Sequence, residues 1–339
     1  MTKRKNILKA GIILIGISLV FSTIIVTGNT VYTNPEEKDP VNTNSEGKGG
    51  PWYVDANWGS DSNSGTSWGQ AFKTISKAVS VCTLNDFIYV LNGTYFESVH
   101  IIFPTGITII AVMGPYCTFV EGGSSNDAFY VRSEGVRIEN FTIQNSWRGV
   151  YIHDSDNNTI IGNVIKNNRE GIDIDGFWNS VTKNNTIEKN TISANTLAGI
   201  VLWAYCNNTL IRNNRITSNN NVNYGGVYID STSHNNLIYN NYFNNFPQDA
   251  WDAGTNNHWN IDPITYSSGL NICGGVGIGG NRWYGTPQFN KDCSNIFPPH
   301  TIPGPAGSAD IHPIPGFELL VFIAAFAIVL MILRKRKSK

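Results

Sequence analysis

A set of side chains in the middle of this chain has the types and spacing for work on sugars. In Gly149-Val150-Tyr151-Ile152-His153 and Gly171-Ile172-Asp173-Ile174-Asp175, apolar residues alternate with polar or aromatic ones. Successive side chains of an extended strand point to opposite faces, so burying Val150 and Ile152 turns Tyr151 and His153 outward. The same rule applied to Gly199-Ile200-Val201-Leu202-Trp203 and Gly226-Val227-Tyr228-Ile229-Asp230 predicts two exposed columns. One is Tyr151, Asp173, Val201, Tyr228; the other is His153, Asp175, Trp203, Asp230. Aromatic rings stack on sugar rings, and carboxylates bind hydroxyls or exchange protons. Asp173, Asp175 and His153 are therefore the candidate catalytic residues, and Tyr151, Trp203, Tyr228 and Asp230 the candidate ligand-binding residues. Two steps along a strand put the Cα atoms of Asp173 and Asp175 about 6.5–7 Å apart. Inverting glycosidases hold their carboxyl groups roughly 6.5–9.5 Å apart. Many exposed Asp pairs share that spacing, so it is compatible with hydrolysis without requiring it. Asp154, Asp156 and Glu170 are close in sequence and are read as turn residues.

The elements that must position these residues form a repeat. The four Gly-led strands recur, and a second column reads Asn163-Val164-Ile165, Asn190-Thr191-Ile192, Asn214-Arg215-Ile216 and Asn241-Tyr242-Phe243. Two interleaved columns with one period are the signature of a solenoid. Val136 to Ile143 is a further, less regular coil. Val150, Ile152, Ile172, Ile174, Ile200, Leu202, Val227 and Ile229 are the expected core. Gly and Asn suit corners that need positive φ, and stacked Asn side chains can hydrogen-bond along the stack. Leucine-rich repeats also carry an Asn column, but here Ile and Val dominate and no helix interrupts. The expected fold is all-β: a single-stranded right-handed parallel β-helix. Phe72, Ile75, Val79 and Cys82 recur at helical spacing, which predicts a short N-terminal capping helix over the open end of the stack.

Two resemblances sharpen this reading. Tyr53-Val54-Asp55, the run from Gly59 to Trp68, Ala71-Phe72-Lys73-Thr74-Ile75, Asp86 to Val90 and Gly93-Thr94-Tyr95 resemble the N-terminal cap region of secreted β-helix proteins related to pectate lyases. Asn240 to Asn245, Asp249-Ala250-Trp251-Asp252, Gly254 to Asn260 and Gly280-Asn281-Arg282-Trp283-Tyr284 look like the end of the NosD-type β-helix domain, grouped with carbohydrate-binding and sugar-hydrolase β-helices. That likeness spans about residues 130–285. It departs at the Gly-rich insert Ile261 to Gly279 and in lacking the acidic Gly-Asp segment after the second Trp motif. The resemblance implies the fold and a polysaccharide partner. It leaves three functional readings: a surface protein that binds or cleaves polysaccharide, as a lyase or glycoside hydrolase if it is an enzyme; a non-catalytic structural or adhesion module; and a NosD-like copper-related role. A copper site needs clustered His, Met or Cys. His153, His234 and His258 are scattered and Met113 is the central region's single Met, so no metal site and no cofactor are expected.

The rest of the chain speaks to location. Ala10 to Val26 is uncharged after Lys3, Arg4, Lys5 and Lys9, and reads as a signal peptide or an N-terminal anchor. Phe317 to Leu333 is apolar except for Glu318 and precedes a basic tail. It reads as a transmembrane helix or sorting signal, and Pro315-Gly316-Phe317 resembles the PGF-type C-terminal sorting signal of archaeal surface proteins. Basic residues at both ends place the middle outside the cytoplasm. The expected divisions are 1–28 signal or anchor, 29–50 linker, 51–297 β-helix domain with repeats over about 130–260, 298–316 Pro/Gly-rich stalk, 317–333 membrane segment and 334–339 cytoplasmic tail. Setting aside the nine terminal Lys and Arg and Glu318 leaves 15 basic against 24 acidic residues between 29 and 316, a net charge of −9. That sign opposes phosphate binding, so no nucleic-acid partner is expected. An external location permits disulfides: Cys273 with Cys293 could close a loop in the Gly-rich C-terminal cap and Cys82 could meet Cys117, leaving Cys206 over, and the spacing alone does not choose the pairing. It also permits glycosylation at the sequons that begin at Asn92, Asn140, Asn157, Asn184 and Asn207.

Overall fold

Alternating Ile and Val on strands of three to six residues cannot bury themselves alone, and the chain solves this by stacking coil on coil. The computed structural model describes residues 49–177, 180–259, 281–283, 300–301 and 309–310. Among these, three parallel sheets of eight, seven and eight strands run the length of the stack, and from Phe87–Val90 to Arg282–Trp283 consecutive strands of the chain fall in different sheets. This is a parallel β-helix. The stacked coils reach further towards the N-terminus than the regular repeat: the first sheet starts at Trp52–Val54 and Phe87–Val90.

The core is built of like on like. In the first sheet Ile88, Ile109, Ile138, Ile160, Ile187, Ile211 and Ile238 occupy successive register positions and are fully buried. In the third, Val120, Ile143, Ile165, Ile192, Ile216, Phe243 and Trp283 do the same. Two buried Asn ladders close the corners. Asn163, Asn190, Asn214, Asn241 and Asn281 are linked from each amide Nδ2 to the next Oδ1 at 3.0–3.2 Å. Asn168, Asn195, Asn219 and Asn245 form a second ladder, which ends on Asp249. Residues just before ladder positions, such as Asn167, Lys189, Asn213 and Asn240, take positive φ. Beside the second ladder, Gly149, Gly171, Gly199 and Gly226 press against the next coil. A Cβ on Gly171 would lie 2.4 Å from the Gly199 carbonyl oxygen, so a side chain cannot be placed there.

Helix α1 (Ile75–Val81) covers the N-terminal end and buries Ile75, Ala78 and Val79. Thr74 Oγ1 accepts from Lys77 N at 3.1 Å, and Glu97 accepts from the backbone N–H groups of Ile75 and Ser76 at 2.8 and 2.9 Å. These bonds satisfy the orphan donors of the first turn. Phe72 lies before the helix, where it bridges to Val54.

The cysteine expectation needs correction. Cys82, Cys117 and Cys206 are free thiols. Cys82 closes α1 and is partly buried, whereas Cys117 is exposed in the turn before Thr118–Gly123, so helix end and turn do not meet. Cys273 and Cys293 lie outside the described residues. So do residues 10–26, residues 317–333 and Pro315-Gly316-Phe317; among the described residues no helix is long and apolar enough to cross a membrane.

Candidate functional site

The second sheet carries an unbroken outward line across its seven strands. His100, Tyr130, Tyr151, Asp173, Val201, Tyr228 and Trp251 are successive register partners. A second line pairs His153 with Asp175, and Trp203 and Asp230 follow the ends of their strands. The inward residues Val150, Ile152, Ile172, Ile174, Ile200, Leu202, Val227 and Ile229 are all fully buried, and that fixes which side chains face out.

Towards the N-terminal end the line becomes a polar cluster. The Tyr151 hydroxyl donates to Asp175 Oδ2 at 2.8 Å and lies 2.9 Å from His153 Nδ1, which itself contacts Asp175 Oδ1. His153 and Asp175 stay about one-fifth exposed, at 20% and 23%. The Arg148 guanidinium lies 3.2 Å from the centre of the Tyr151 ring. It grips Asp127 through Nε at 2.7 Å and Nη2 at 2.9 Å, and reaches Asp173 Oδ2 through Nη1 at 3.4 Å. Tyr130 stands 5.4 Å from Tyr151 and 6.3 Å from His153, while the exposed Phe177 meets His153 edge-on at 6.4 Å.

Towards the C-terminal end the line becomes aromatic. Trp203, Tyr224 and Tyr228 form a triangle with ring separations of 5.0, 5.7 and 4.9 Å. Along the strand starts, Trp147 is exposed under the Arg169 guanidinium at 4.1 Å, and Arg169 pairs with Glu170.

Asp173 departs from the expectation of an exposed column. It is 3% exposed, and Val201 beside it is fully buried. The register is as expected, but Arg148 leans across from the neighbouring strand. Glu170 is no turn residue; it starts strand Glu170–Asp175 and is 4% exposed. Burial, then the charges of Glu170 and Asp175, push the Asp173 carboxyl well above the usual carboxylate range, while Arg148 pulls it back. Asp173 Oδ1 is buried without a hydrogen-bond partner. Burial and then Asp175 push the Tyr151 phenol up, so it stays a donor. Asp230 is committed to a turn, accepting from the Thr232 amide and hydroxyl and from the Ser233 hydroxyl. Of the cap tryptophans, Trp259 and Trp283 pack on Phe243, whereas Trp251 continues the outward line.

Arg148, Asp127, Glu170, Tyr224, Tyr130 and His100 join the site without having been expected. Tyr130 was within reach, because Phe129-Tyr130-Val131 shows the same in-out-in pattern one coil earlier. Arg148 and Glu170 occupy equivalent positions before the glycine column with opposite charges.

A family model described as periplasmic copper-binding protein (NosD) matches residues 77–288 of the 339. No curated protein sequence matches. Among solved structures, XylC in complex with xylose is 13% identical with a TM-score of 0.42, covering 61% of this chain and 64% of its own. This chain thus spans less than two thirds of XylC. Pectin methylesterase PemA from Erwinia chrysanthemi is 10% identical, TM-score 0.42, covering 72% and 91%, and Escherichia coli ybhc is 15% identical, TM-score 0.43, covering 65% and 70%.

Proposed function

The chain belongs to the NosD family of periplasmic copper-binding proteins, and from that premise we propose that it works outside the cytoplasm and binds polysaccharide along the outer face of its second sheet. The observation that carries this reading is the continuous line from Tyr130 to Trp251. It sets an aromatic triangle beside the Tyr151–His153–Asp175 cluster, whose His153 and Asp175 are about one-fifth exposed, which gives ring-stacking and hydroxyl-binding groups on one face. The basic-flanked apolar segments at 10–26 and 317–333 support tethering to a membrane, with Pro315-Gly316-Phe317 as the sorting signal and residues 51–297 as the displayed domain.

The copper reading fares worse. Among the described residues no three His, Cys, Asp or Glu side chains converge as metal ligands. The Cys206 thiol is fully buried and donates to the carbonyls of Trp203 at 2.7 Å and Ile174 at 3.0 Å. These groups do not fit a copper ion.

Binding is favoured over catalysis because Asp173 sits beneath Arg148, which leaves Asp175 and His153 as the acid–base groups a sugar can touch. The test is the full purified chain against acidic and neutral polysaccharides, followed by retention, new reducing ends and the ultraviolet absorbance of unsaturated products. Retention without products makes it a binding module. Products lost in Asp175→Asn make it an enzyme, a lyase if the absorbance rises and a hydrolase if it does not. Neither retention nor products leaves the display module.

A further inference from the structure

We propose that the glycan held on this face is uncharged and that polyuronates are excluded from it; this rests on the polysaccharide reading above. Strand Glu170–Asp175 sets the partly exposed Asp175 at the middle of the line, beside the buried carboxyl groups of Glu170 and Asp173. The neighbouring cations are already committed. Arg148 is shared between Asp127 and Asp173, Arg169 is held by Glu170 and the Trp147 ring, and His153 faces Asp175 and the Tyr151 hydroxyl.

A polyuronate carries one carboxylate on each sugar. Strands in a sheet lie about 4.8 Å apart, a spacing close to one sugar unit, so a chain laid along the line brings several carboxylates over the acidic centre. Each would lose water next to the Asp175 carboxyl, and among the described residues at the centre of the line no guanidinium is left unpaired to receive it. Arg132, exposed just past Val131 at the N-terminal end, can meet one such group and not a run of them. A neutral sugar asks for what is present. Its hydroxyls donate to Asp175 and accept from His153, and its apolar ring face rests on Trp203 and Tyr228.

The test is affinity electrophoresis of the full chain in gels containing a soluble β-glucan, a mannan or a xylan, or else polygalacturonate or alginate, at low and at physiological salt. Expected is retardation by at least one neutral polymer, weakened about tenfold in Trp203→Ala, and none by either polyuronate at either salt. Circular dichroism confirms that the variant folds, and Tyr224→Ala replaces it if it does not. Retardation by a polyuronate as strong as by any neutral polymer, and lost in the same variant, overturns the uncharged-ligand inference while the polysaccharide reading stands. Retardation by none of the polymers overturns both.

Discussion

Replacing Asn190 by Ala tests whether the buried ladder, rather than the apolar stack alone, holds the coils together. Asn190 makes four side-chain hydrogen bonds. Its Oδ1 accepts from Asn163 N at 2.9 Å and Asn163 Nδ2 at 3.2 Å, and its Nδ2 donates to Ile160 O at 2.8 Å and Asn214 Oδ1 at 3.0 Å. Asn163 and Asn190 are each 1% exposed and Asn214 and Ile160 are fully buried, so water cannot replace the lost partner. The change strips the acceptor from a buried backbone N–H and a donor from a buried carbonyl. An unsatisfied buried group costs about 1–3 kcal/mol, which sets the expected loss at about 3 kcal/mol. The control is Asn244→Ala, at a partly exposed strand end, with an expected change within about 0.5 kcal/mol. Urea unfolding followed by far-ultraviolet circular dichroism measures both. If Asn190→Ala shifts the transition no further than Asn244→Ala, the ladder is ornament and the reasoning fails.

Gly171→Ala should destabilise by about 2–3 kcal/mol, because its Cβ would lie 2.4 Å from the Gly199 carbonyl oxygen; a chemical denaturation midpoint equal to the parent's would contradict this. Asp249 is buried, which raises its carboxyl to about 7 despite the Asn245 hydrogen bonds that lower it. The folded state then binds this proton more tightly than the unfolded state, so the contribution is full below about pH 4 and is lost as pH rises through about 7. Asp249→Asn, which keeps the acceptor, should remove that slope and stabilise the protein at pH 8 but not at pH 4, as thermal melts at the two pH values will read. Arg148→Gln leaves Asp127 and the buried Asp173 without their shared cation, and should cost about 1–3 kcal/mol in the same unfolding assay.

The outward and inward faces were legible because a two-residue period allows only two answers. Once Ile172 and Ile174 are buried, Asp173 and Asp175 must face out. Exposure was not legible, because it depends on what leans over from the neighbouring coil. Arg148 belongs to the coil before Asp173, and its reach comes from a flexible side chain that no periodicity encodes. The first Asn ladder stood out because it leads an Asn-x-Ile pattern. The second was hidden, since Asn168, Asn195, Asn219 and Asn245 follow strands of varied sequence and show only when stacked. The cysteines misled for a related reason: oxidising surroundings permit pairing, but a solenoid fixes each residue to one corner of one coil. Cys82 and Cys117 fall at different places in that grid.

The second Asn ladder also has a direction. Every amide in it donates towards the C-terminus, so the side-chain dipoles of Asn168, Asn195, Asn219 and Asn245 add head to tail. Their positive end points at Asp249, whose Oδ1 receives both Asn245 N and Asn245 Nδ2. A carboxylate answers the accumulated positive end much as an acidic residue answers the start of an α-helix. Asp249 Oδ1 accepts both Asn245 bonds and passes none to a further coil. The row behaves like a current that needs a sink, and the residue that drains it also ends its propagation from coil to coil.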